Sequence, residues 1–176
     1  ACAALRHVGL SSAAIALAFK SFPGLAHRQE NVGKIDGVQF INDSKATNED
    51  AAYYALVTYA NIYWLAGGRA KESGIQGLSD SMKNVTKAFL YGECAAEFAT
   101  ELDRGKIPYQ FCDTMKDALD AAYQTAKATH AEATILLSPA AASFDQFNNF
   151  EQRGDQFRAL VQQLIAAETV KKGGEK

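Results

Sequence analysis

Ile62-Tyr63-Trp64-Leu65-Ala66 is an unbroken run of five largely apolar residues that ends at Gly67-Gly68. A run this short, stopped by glycine, predicts a strand covered on both faces. Lys87–Tyr91, Tyr109–Cys112 and Thr134–Leu137 have the same form and predict three more. Between and after them, Met115, Ala118, Leu119, Ala122 and Ala126 recur at steps of three and four, as do Phe157, Leu160, Val161, Leu164 and Ile165. That is the spacing of one apolar helix face. Strand and helix in alternation predict an α/β fold, a mostly parallel sheet with helices on both faces and right-handed crossovers.

Upstream the pattern differs. Ser11 or Ser12 is placed to cap a helix whose apolar residues Ile15, Leu17, Ala18 and Phe19 lead to Phe22, and Pro23-Gly24 stops it. Glu30–Ile35 and Val38–Asn42 flank Asp36-Gly37, a dipeptide favoured in two-residue hairpins, so a short antiparallel pair is expected near the N-terminus. The lysine- and glycine-rich end, 171–176, is expected to fray as a flexible tail.

Composition narrows the function classes. The 176 residues carry 18 Lys+Arg against 20 Asp+Glu, a net charge of −2, which leaves no basic excess for a row of phosphates and argues against nucleic acid as partner. Cys2, Cys94 and Cys112 are odd in number, form no CxxC pair and suit reduced thiols in a cytosol. His7, His27 and His130 show no metal-ligand spacing, so no metal site is expected. The longest apolar run, Ala13–Phe19, is far short of the roughly 20 residues that cross a bilayer, so no membrane is expected either. The chain begins at Ala1 without an initiator Met, and a piece cut from a longer protein is the expectation.

In open parallel sheets ligands sit beyond the carboxyl ends of the strands. Three loops there are unusual. Asp43-Ser44-Lys45-Ala46-Thr47-Asn48 offers a carboxylate, a cation and two hydroxyls at a helix start, where free N–H groups favour an anion. It reads as a phosphate or carboxylate site, or as a capping box of Thr47 with Asp50, with Lys45 and Asp43 a surface ion pair. Gly67-Gly68-Arg69-Ala70-Lys71 permits close backbone approach to a ligand beside a compact cation, or is a turn with a solvated lysine. It matches neither GxGxxG nor GxxxxGK[ST]. In Ser138–Phe150, Phe144 and Phe147 stand among small residues, either as core beneath the sheet or lining a pocket with Ser143 as donor. His27-Arg28 after the breaker is most simply a solvated pair.

Together these segments resemble one family. Phe22-Pro23-Gly24-Leu25-Ala26-His27-Arg28-Gln29-Glu30, Phe40-Ile41-Asn42-Asp43-Ser44-Lys45-Ala46-Thr47-Asn48, Gly67-Gly68-Arg69-Ala70-Lys71, and Leu137-Ser138-Pro139-Ala140-Ala141-Ala142-Ser143-Phe144-Asp145-Gln146-Phe147-Asn148-Asn149-Phe150-Glu151-Gln152-Arg153-Gly154 look, in that order, like the C-terminal part of the D-glutamate-adding Mur ligases. The resemblance runs from Phe22 to Phe157. Ala141 departs from it, standing where the family often has cysteine.

The resemblance implies a dinucleotide-binding, Rossmann-like fold for 23–170, with 1–22 a helical remnant of a central ATPase domain. It implies a bacterial, cytoplasmic ligase of peptidoglycan synthesis that uses ATP and Mg2+ to join D-glutamate to UDP-N-acetylmuramoyl-L-alanine through an acyl phosphate. The N-terminal and central domains, with the phosphate loop and the magnesium ligands, would lie outside this chain, and the chain alone is expected to be inactive. By similarity Arg28, Asp43 and Lys45 would face the nucleotide, and Thr47, Lys71, Ser143, Phe144 and Phe150 would hold D-glutamate. His27 and Lys45 match positions tied to activity. The alternative is a free-standing Rossmann-like binding module without ligase activity.

Overall fold

The computed structural model describes residues 2–70 and 74–173. Among the described residues six strands form one sheet, β1 (Glu30–Ile35), β2 (Val38–Asn42), β3 (Ile62–Gly67), β4 (Val85–Tyr91), β5 (Tyr109–Phe111) and β6 (Ala133–Leu137). Their spatial order is β1-β2-β6-β3-β4-β5, with β1 antiparallel to β2 and every other neighbour parallel. The expected α/β architecture and its antiparallel N-terminal pair are therefore both present.

Before the sheet come two short helices, α1 (Cys2–His7) and α2 (Ser12–Ser21). Helices α3 (Glu49–Thr58), α4 (Ala95–Gly105) and α5 (Met115–Lys127) connect the strands, and α6 (Phe150–Gly173) follows the last of them. The core is two apolar layers, one on each sheet face. Ile62, Trp64 and Ala66 pack with α3, α4 and the 3-10 run Gln76–Asn84, whereas Tyr63 and Leu65 pack with α5 and α6. Alternation along a fully buried strand explains why the run carries no charged residue.

The hairpin turn has both Asp36 (φ 55°) and Gly37 (φ 80°) in the left-handed region, which the right-handed twist of the flanking strands favours. Helix α1 buries no residue, and α2 buries Ile15 alone while Leu17 and Phe19 stay exposed. Ser11 caps α2, its side chain accepting from the Ala14 N–H at 3.2 Å.

One expectation changes. Tyr109–Cys112 is not covered on both faces: β5 has three residues, half-buried to exposed, because it is the sheet's edge. Helix α6 takes in 171–173, where Lys171 pairs with Glu168 at 2.8 Å and Lys172 with Asp36. The remaining tail residues lie outside those described.

Candidate functional site

The loops after β2, β3 and β6 leave neighbouring strands at their carboxyl ends, and the backbone fastens them together. The Asp43 N–H donates to Leu137 O at 2.7 Å and the Gly67 N–H to Pro139 O at 3.1 Å. Arg69 and Ala142 exchange N–H to O=C bonds of 2.9 and 3.0 Å. Such close approach requires glycine. A Cβ on Gly67 (φ 146°) would fall 1.8 Å from Tyr91 O, and one on Gly68 (φ 135°) 2.2 Å from Ala142 O.

One side chain joins all three loops. Arg153, fully buried on α6, donates to Ser44 Oγ (3.0 Å), Ser44 O (2.9 Å), Ala141 O (3.1 Å) and Gly67 O (3.5 Å). Its partners are a hydroxyl and three carbonyls, and burial pulls its pKa below the usual guanidinium value. Ser44 Oγ in turn donates to Phe150 O at 2.8 Å. Motif reading misses Arg153. Its signal is spacing, since Arg153, Phe157 and Val161 stand four apart on one buried stripe, where an arginine needs several acceptors.

In the loop after β2, Asp43 is buried and accepts from Ser138 Oγ (2.8 Å) and the Gln29 N–H (3.1 Å). Burial pushes its carboxyl up to about 6, against the opposing pull of those two donors and Arg28. Asp43 is therefore no surface partner of Lys45. The ammonium of Lys45 instead lies 3.7 Å from the centroid of the Phe150 ring, a cation–π contact that leaves its hydrogens for another acceptor.

The capping box expected from Thr47 and Asp50 is not formed. Asn48 caps α3, its side-chain oxygen accepting from the Ala51 N–H at 2.9 Å, because the helix starts one residue later than that pairing requires. Thr47 is half-buried and its hydroxyl is not the cap.

His27-Arg28 is not a solvated pair. His27 is 6% exposed at φ 60°, with Nδ1 3.1 Å from the Asn42 side-chain nitrogen and Nε2 3.7 Å from Asp155 Oδ1. The amide nitrogen has only hydrogens to offer, so Nδ1 accepts. His27 O accepts the Lys45 N–H at 3.0 Å, so the histidine braces the backbone beneath the lysine. A Cβ on Gly154 would meet the imidazole at 2.2 Å, which explains the glycine after Arg153. Arg28 is exposed.

Arg28, Gln29, Asp43, Lys45, Ala46, Ala51 and Tyr54 line one hollow of about 410 Å³. It gathers two cations, a carboxylate and an aromatic ring, groups that suit phosphates, hydroxyls and a flat base. The aromatic pair of the last loop divides. Phe147 is half-buried against the α5/α6 core layer, while Phe144 is 63% exposed at the rim. Ser143 beside it is buried. Lys71 lies outside the described residues.

Residues 27–141 match the family described as Mur ligase, glutamate ligase domain. Among curated proteins, the chain is 51% identical over 162 residues to a UDP-N-acetylmuramoylalanine–D-glutamate ligase of Phenylobacterium zucineum, covering 92% of the chain and 34% of that protein. It is 48% identical over 162 residues to the same-named ligase of Rhodopseudomonas palustris, with 89% and 34% covered. The chain thus spans about a third of the length of these relatives. Among solved structures it resembles UDP-N-acetylmuramate-alanine ligase MurC from Thermotoga maritima (TM-score 0.61, 11% identity, 92% of the chain and 36% of that one). It also resembles a bifunctional folylpolyglutamate synthase/dihydrofolate synthase from Yersinia pestis (TM-score 0.62, 19% identity, 90% and 37%). These two likenesses show the fold.

Proposed function

Because this chain belongs to the Mur ligase family, matching its glutamate ligase domain, we propose that it is the D-glutamate-binding, nucleotide-closing part of a bacterial, cytoplasmic ligase that joins D-glutamate to UDP-N-acetylmuramoyl-L-alanine. The observation that supports this best is the fastening of three loops at the carboxyl ends of β2, β3 and β6 by Arg153, since those loops carry Thr47, Lys71 and Ser143. On this reading 23–170 is the closing domain and 1–22 the end of a central ATPase domain. The sparse burial of α1 and α2 is in keeping with that division.

The chemistry follows from charge. The alanine carboxylate attacks the γ-phosphorus of ATP, ADP leaves, and the amine of D-glutamate attacks the acyl carbon before phosphate departs. Negative charge gathers on phosphoryl and carboxylate oxygens, so fixed cations stabilise it. Arg28 and Lys45 supply two of them, and Asp43 is an acceptor for ribose hydroxyls. His27 acts as a positioning residue, holding Lys45 through its backbone carbonyl. Thr47 and Ser143 donate to the two carboxylates of D-glutamate and Lys71 pairs with one, while Phe144 and Phe150 wall the site. Among the described residues no three His, Cys, Asp or Glu side chains gather to hold a metal ion. On this reading the Mg2+ would be held by the preceding domains, and no step is routed through it. Among them, too, no helix is long and apolar enough to cross a membrane.

The test uses the full-length protein. Lys71→Ala, Thr47→Val and Ser143→Ala should each raise KM for D-glutamate while KM for ATP changes little. Unchanged KM for D-glutamate in all three removes the proposed site. The chain without the preceding domains should neither hydrolyse ATP nor form product.

A further inference from the structure

Arg28, Asp43 and Lys45 account for part of the 410 Å³ hollow, and one wall is left without a role: the ring of Tyr54, 65% exposed on α3. It does not stand alone: Tyr53 and Val57 on the same helix are exposed beside it, and a contiguous exposed apolar patch marks a binding surface. Helix spacing puts Ala51 three residues before Tyr54 on the same face, and both line the hollow. A side chain as small as Ala51 leaves a slot against the flat ring. The ring is also braced: Tyr53 meets it edge to face, with centroids 5.5 Å apart and planes at 88°. An edge-to-face neighbour favours one ring orientation and leaves an open face for a planar partner.

The hollow's groups divide by chemistry. The cations Arg28 and Lys45 and the acceptor Asp43 serve phosphates and ribose hydroxyls on the proposed reading, and the aromatic wall belongs to a different element, the helix α3. We propose that Tyr54 is the stacking wall for the nucleobase, and thereby a determinant of nucleotide affinity in this protein. The proposal rests on the reading of this hollow as the nucleotide site. Stacking recognises any flat base, so Tyr54 contributes affinity, while selection among bases falls to other groups.

Equilibrium binding to the full-length protein, measured by titration calorimetry without turnover, tests it with two probes, ATP and inorganic tripolyphosphate. Tyr54→Ala should weaken ATP by about 5- to 100-fold, the span found when a stacking aromatic is truncated, and leave tripolyphosphate within about twofold. Tyr54→Phe should keep ATP affinity, since stacking needs the ring and not the hydroxyl. ATP binding unchanged in Tyr54→Ala overturns the proposal, as does an equal loss for both probes. The underlying reading fails by a different sign: Arg28→Ala and Lys45→Ala would then leave both probes unaffected. Tyr54 is exposed, so its variants are expected to fold.

Discussion

Arg153 grips Ser44, 109 residues away, at two atoms: Nε donates to the hydroxyl at 3.0 Å and Nη2 to the carbonyl oxygen at 2.9 Å. The remaining donors of the fork reach Ala141 and Gly67. One planar cation therefore reaches all three of the loops on which the proposed D-glutamate site is built, beside the backbone bonds that join them. No lysine can do this, having one nitrogen where the guanidinium has three.

Removing that fork leaves buried acceptors without donors. Arg153→Met is expected to lower unfolding free energy by about 3–5 kcal/mol, since each orphaned buried acceptor costs about 1–3 kcal/mol. Arg153→Lys should recover part of it. Urea unfolding followed by circular dichroism measures both, and a loss below about 1 kcal/mol for the Met variant would contradict the bracing role.

The glycine pair makes the second prediction. Alanine at Gly67 would bring its Cβ within 1.8 Å of a backbone oxygen at a φ that disfavours any side chain. Gly67→Ala should cost about 2 kcal/mol or more and reduce soluble yield. Gly24→Ala, where φ is also positive but a Cβ would meet nothing within 4 Å, should cost less. Equal melting temperatures for the two variants would remove close packing as the cause.

Asp43 gives a pH dependence. Its carboxyl is raised from 3.8 to about 6, burial outweighing Ser138, Gln29 and Arg28. Between those values the folded protein binds more protons than the unfolded chain, so stability should fall as pH rises from about 4 to about 6 and then level off. The contribution is on the order of 2–3 kcal/mol. Asp43→Asn should flatten this limb of the stability–pH curve. A wild-type curve already flat there would show Asp43 to be ordinary.

Glu168 works in the opposite sense. Hydrogen bonds from Lys127 and Lys171 hold its carboxyl down at about 2, below the ordinary 4.5. The stability it adds is present above 4.5 and lost as pH falls toward 2. Replacing Lys127 by Met should therefore make acid unfolding begin at a lower-lying stability and thus at a higher pH. Tyr123 and Asp36 share this corner, so the far end of α6 and the hairpin turn should loosen together in hydrogen exchange.

The regular elements can be read one stretch at a time. Buried strands advertise themselves as apolar runs, the hairpin as Asp36-Gly37 between two strand-like segments, and α5 by its stripe of alanines and Leu119. These signals are local because they arise from the period of a strand or helix against one apolar layer. Burial at β5 is misread for the same reason: Tyr109-Gln110-Phe111 looks like any other strand, and only the sheet order puts it at the edge.

By itself the sequence determined the α/β alternation, the hairpin and the ordered segments that mark the Mur ligase family, since each depends on residues adjacent in the chain. Tertiary structure alone decided that His27 and Asp43 are buried, that Phe147 turns inward while Phe144 stays at the rim, and that Arg153 braces the loops. Those outcomes depend on hydrogen bonds and burial between residues up to 109 positions apart, and no local pattern carries the distance between two loops until the sheet has brought them together.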